Sequence, residues 1–64
     1  MWVEVKRAPN LMMAETWKEL FEGEGIPTRI LPDPASTGEG EFAAYIVYVP
    51  KFRDHVVEEV LRKV

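Results

Sequence analysis

The sequence predicts an α+β domain with the element order strand, helix, strand, strand, helix. Three junctions fix that order: Ala8-Pro9-Asn10, Gly25-Ile26-Pro27 and Val47-Tyr48-Val49-Pro50. Each sets a proline or glycine where a run of one periodicity gives way to a run of another, and such residues stop one element and admit the next. None of the three carries a nucleophile, a metal ligand or a phosphate cradle. They punctuate a fold and do not build an active site.

Trp2 to Arg7 alternates, with Trp2, Glu4 and Lys6 on one face and Val3, Val5 and Arg7 on the other. A period of two that ends at a proline reads as a strand. Asn10 then stands where a helix cap belongs, its side-chain oxygen able to accept an orphan backbone N–H. Met13, Ala14, Trp17, Leu20 and Phe21 form one apolar stripe of helical period. Gly25 closes that helix as its left-handed residue, with Pro27 beyond to prevent continuation. Gly23 costs the last turn about 1 kcal/mol relative to alanine, which predicts fraying there.

Pro27 to Leu31 reads as a short second strand that starts on a proline, where a missing donor is tolerated. Pro32 to Glu41 holds two prolines, two glycines, Ser36, Thr37 and three acids, and reads as loop throughout. Phe42 to Val49 is an apolar run rich in aromatic and β-branched residues, the strongest strand signal in the chain. Past Pro50, a second helix lines up Phe52, Val56, Val57, Val60, Leu61 and Val64 on one side. Glu58–Arg62 and Glu59–Lys63 stand four apart on it, pairs worth about 0.2–0.5 kcal/mol each.

A right-handed crossover makes the first two strands parallel and sets the third between them, antiparallel to both. The expected fold is a ferredoxin-like βαββα domain over residues 1–64, with sheet order 1-3-2, both helices on one face and the fourth strand lacking.

A chain of 64 residues makes one small domain, which buries only about 60% of the surface its unfolded form exposes. Zero cysteines remove disulfides and thiolate metal sites, and fit a reducing compartment. The first residues carry a charge within five positions and no apolar core region, unlike a secretory signal. No apolar run approaches the roughly 20 residues of a membrane span. The expectation is a soluble, cytoplasmic protein. Eight basic residues against eleven acidic ones give a net charge of −3. Lys and Arg are not clustered as a phosphate backbone demands, which argues against nucleic acid as a partner.

The candidates for chemistry resolve into structural readings. His55, the single histidine, would need an orienting acid and a pocket to act as a base, but Lys51 and Glu59 at helical spacing are enough to explain it as an exposed helix-face residue. Asp33, Glu39 and Glu41 could approach a divalent cation but lack the tight alternation of a calcium loop, and read as solvated loop acids. The segment Ser36-Thr37-Gly38-Glu39-Gly40 lacks the lysine and the following helix of a phosphate loop, and its glutamates repel phosphate. Asn10 with Arg7 or Arg53 does not make the arginine–asparagine pair of an acylphosphatase, because Ala8-Pro9-Asn10 stands where the arginine loop belongs. No catalytic residue, metal or cofactor is expected.

The third strand is apolar on both faces, with Tyr45, Val47 and Val49 on one and Ala44, Ile46 and Tyr48 on the other. A sheet covered by helices on one side only should alternate with polar residues. Ile46, Tyr48 and Trp2, with Ile30 or Leu31, therefore predict an apolar patch on the uncovered face, and such patches mark interfaces.

Asn10 opening a helix, Ala14 and Leu20 on its inner stripe, Gly25-Ile26-Pro27 after it and Val47-Tyr48-Val49-Pro50 before a closing amphipathic helix resemble one family. It is a small prokaryotic family of signal-transducing proteins of unknown function, with a fold like the nitrogen-regulatory PII proteins. The resemblance runs from Val3 to Leu61 and implies a PII-like βαββα sheet, without implying any chemistry. Two features depart from it: the cysteine-rich zinc extension of some relatives is not found in this sequence, and Trp17 stands where a smaller aliphatic is usual.

The expected function is a non-enzymatic interaction or regulatory module that forms a homodimer through its sheet, by either the open face or the unpaired edge of the first strand. Trp2, Ile46 and Tyr48 would anchor it, and the loop bearing Asp33, Ser36, Thr37, Glu39 and Glu41 would be the recognition surface. A small-metabolite sensor binding near residues 32–41 is the alternative. A dimeric barrel enzyme using His55 as acid or base is a third reading.

Overall fold

The structure, a computed structural model, describes residues 1–36, 38 and 42–63. β1 (Trp2–Ala8) leads to α1 (Leu11–Gly23), then β2 (Arg29–Pro32) and β3 (Tyr45–Pro50). A 3₁₀ turn (Lys51–Arg53) and α2 (Asp54–Arg62) follow. The three strands form one antiparallel sheet in the order β1-β3-β2, which is the expected α+β arrangement.

α1 starts and stops as its sequence dictates. Asn10 is extended, and its Oδ1 accepts the Met13 N–H at 2.9 Å. At the other end Gly25 takes φ +81°. The Ile26 N–H reaches the Phe21 carbonyl at 2.9 Å and the Gly25 N–H reaches that of Glu22 at 3.0 Å. This pair of bonds satisfies carbonyls that the helix leaves orphaned, and it sends Ile26 back onto Phe21. Both side chains are fully buried.

The core lies between the sheet and both helices. Phe21 from α1, Val57 and Val60 from α2, and Val47 and Val49 from β3 form one cluster with Ile26. Val3, Val5, Trp17, Leu20 and Ile30 pack against it. Trp17 lies 5.9 Å from Phe21, ring to ring, and packs partly buried at the rim of the core. Arg53 donates to the Gly25 carbonyl at 3.1 Å and ties the start of α2 to the end of α1.

Five sequence expectations are corrected. β1 contains a bulge at Val5: Glu4 pairs with Tyr48, yet Lys6 pairs with Val47. The extra residue flips the alternation beyond it, so Lys6 joins Val3 on the core face and Arg7 joins Trp2 and Glu4 on the other. β2 begins at Arg29 and includes Pro32, where the sequence predicts Pro27–Leu31, and β3 begins at Tyr45 with Phe42 exposed ahead of it. Phe52 belongs to the 3₁₀ turn, whose tighter winding carries it off the apolar stripe into solvent. Asp33 is buried, so it is not a solvated loop acid.

Candidate functional site

Direct strand partners share a sheet face, so the register reads out the uncovered face row by row. One row is Arg7–Ile46–Leu31 and the next is Glu4–Tyr48–Arg29, with Trp2 beside Pro50 at the end. Trp2 is 38% exposed and Leu31 is 46% exposed, while Tyr48 is half-buried. Ile46 is 9% exposed and forms the floor. The three residues expected to anchor an interface therefore do share one face. Leu31, not Ile30, completes it, because Ile30 pairs with Val47 on the core side.

Two arginines cross this face in opposite directions. Arg7 reaches from β1 to the Asp33 carboxylate just past β2, making an ion pair. Arg29 reaches from β2 to β1, its guanidinium 4.5 Å above the Trp2 ring. Arginine suits that role, since a planar, weakly hydrated cation stacks on an aromatic face and keeps its N–H edge for other partners. Glu4 has no ion-pair partner among the described residues.

The loop after β2 is braced from within. Asp33 accepts the Ala35 N–H at 2.9 Å, and Ser36 Oγ accepts the N–H of Ala44 at 3.0 Å and of Gly38 at 3.2 Å. Of the expected recognition residues, Asp33 thus spends one carboxylate oxygen on the loop's own backbone and the other on Arg7, and Ser36 spends its hydroxyl oxygen on backbone N–H groups. Thr37, Glu39 and Glu41 lie outside the described residues.

The outer edge of β1 is guarded. A bulge and an inward-pointing charge are two means by which an edge strand resists pairing with another chain. Both occur here, at Val5 and at Lys6, whose ammonium lies 4.7 Å over the Trp17 ring. A groove of about 540 Å³ runs between β1 and α2, with Val3, Val5, Val57 and Leu61 as its apolar lining and His55 and Glu58 among its polar residues. His55 is exposed there. Among the described residues no three His, Cys, Asp or Glu side chains gather as a metal site. No helix among them is long and apolar enough to cross a membrane.

The bulge and the Arg7–Asp33 pair are the features that the sequence reading missed. Neither has a local signal, since valine and lysine fit either phase of a strand and the ion pair joins residues far apart in the chain. Comparison of the chain with family models, curated proteins and solved structures finds no match.

Proposed function

We propose that this domain is a non-enzymatic interaction module that self-associates through its uncovered sheet face. The observation that carries the reading is the face itself: Trp2, Leu31 and Tyr48 lie exposed or half-exposed around Ile46, with arginines and a glutamate beside them. An apolar centre with aromatic and arginine anchors and a polar rim is the usual anatomy of a protein interface. The guarded edge of β1 favours the face over strand addition. A regulatory role is in keeping with the resemblance of its junction motifs to the signal-transducing family.

The test is solution mass by analytical ultracentrifugation at high micromolar concentration, with Trp2→Glu run alongside. A dimer that the substitution dissociates is expected. A wild-type monomer at that concentration overturns the reading.

A further inference from the structure

We propose that two copies of this chain pack their uncovered sheet faces about a twofold axis running along β3, so that Glu4 of each meets Arg29 of the other. The inference rests on the self-association reading and goes beyond it by fixing the partner, the symmetry and the specificity contact.

The argument starts from one row of the sheet. Tyr48 has Glu4 as its partner on one side and Arg29 on the other. β3 is the central strand, so this row reads acid, aromatic, base from β1 to β2. Neighbouring strands stand about 4.8 Å apart, which puts the two flanks roughly 10 Å from each other within one chain. Arg29 turns to Trp2 rather than to Glu4.

A twofold along β3 exchanges the flanks. It lays β1 of one copy over β2 of the other, sets Tyr48 over Tyr48, and brings each Glu4 opposite an Arg29, twice per dimer. A twofold across the strands at the same level instead sets Glu4 against Glu4 and Arg29 against Arg29, and like charges facing each other disfavour a register. An isologous contact needs a patch complementary to itself, and the row has that property about one axis only. Shifting the crosswise axis by one row would offer Arg7 to Glu4, but Arg7 is already engaged by Asp33.

Packing of sheets face to face keeps strand directions within about 30° of each other, compatible with an axis along β3. The aromatic and apolar centre supplies the affinity and the charged row supplies the orientation.

The experiment is charge reversal with mixing. Glu4→Arg and Arg29→Glu are exposed-site changes, each checked for native circular dichroism and then measured by sedimentation alone, mixed and combined in one chain. Alone, each faces like with like twice per dimer, and its dimer dissociation constant should rise about tenfold or more. Mixed, one chain carries two bases in the row and the other two acids, so both contacts of a heterodimer join opposite charges. A heterodimer of near wild-type affinity should therefore form. The doubly substituted chain should likewise dimerise.

If wild type dimerises but the mixture is no tighter than its parts, the axis along β3 is overturned while face association stands. If Arg29→Glu dimerises as well as wild type, the proposed contact is overturned and a crosswise axis or the β1 edge takes its place. A monomeric wild type overturns this proposal together with the reading beneath it.

Discussion

Arg7 and Asp33 clamp the two outer strands together across the end of β3. The guanidinium side is 58% exposed and the carboxylate side only 5%, so the pair is lopsided. Asp33 also accepts the Ala35 N–H and sends its own N–H to the Ala44 carbonyl at 2.8 Å. The acid therefore closes a turn as well as an ion pair, while the arginine does one thing.

That asymmetry predicts unequal costs. Asp33→Ala removes the acceptor of a part-buried backbone N–H and should lower unfolding free energy by about 1–3 kcal/mol. Arg7→Ala should cost less, about 1 kcal/mol, because water reaches the arginine side of the pair. Urea unfolding of both variants and of the double mutant checks the ranking and gives the coupling. Equal losses would mean that the turn bond to Ala35 contributes nothing. For 64 residues at about 0.1 kcal/mol per residue, either loss is a sizeable share of the total.

Two glycines at the end of α1 should respond with opposite sign. Gly25 sits at φ +81°, where a Cβ clashes with the backbone, so Gly25→Ala should cost about 1–2 kcal/mol although nothing else crowds the site. Gly23 has helical geometry and no atom within 4 Å of an added Cβ. Gly23→Ala should therefore stabilise by about 0.5 kcal/mol through a less flexible unfolded chain. Thermal melts of the two variants suffice, and a shift in the same direction for both would refute the account.

Asn10→Ala should cost about 1 kcal/mol and Asn10→Asp nearly nothing, since the position needs only a side-chain oxygen for the Met13 N–H. Thermal melts separate this from a binding role for Asn10, which would leave stability untouched in both.

How far the sequence could be read follows from where each signal resides. The ends of α1 were legible because caps are local: Asn10 and the Gly25-Ile26 pair act within one turn of their own positions. Sheet order was legible because three short strands and one crossover leave few topologies. The apolar face carrying Trp2, Ile46 and Tyr48 was legible from a central strand with no polar alternation. The bulge was not, and it inverted Lys6 and Arg7. Phe52 misled for a related reason: its spacing from Val56 is helical, yet the intervening 3₁₀ turn winds more tightly. Asp33 looked like a surface turn residue, because only the fold brings Arg7 to it.

Lys6 provides the last test, because its inward position is unfavourable for packing and useful for solubility. It occupies a core-face site opposite Val47, where an apolar residue would pack better, and its ammonium rests on Trp17 instead. An inward charge on an edge strand makes strand addition costly, since a second chain pairing there would bury the lysine. Lys6→Val should therefore hold or raise the melting temperature of the monomer while opening the β1 edge to pairing. In a Trp2→Glu background, which sets a charge in the apolar sheet face, the Lys6→Val chain should form concentration-dependent oligomers by light scattering beyond any that Trp2→Glu alone forms. If the double variant stays as monomeric as Trp2→Glu, the bulge at Val5 alone is enough to close the edge, and Lys6 serves only to cover Trp17.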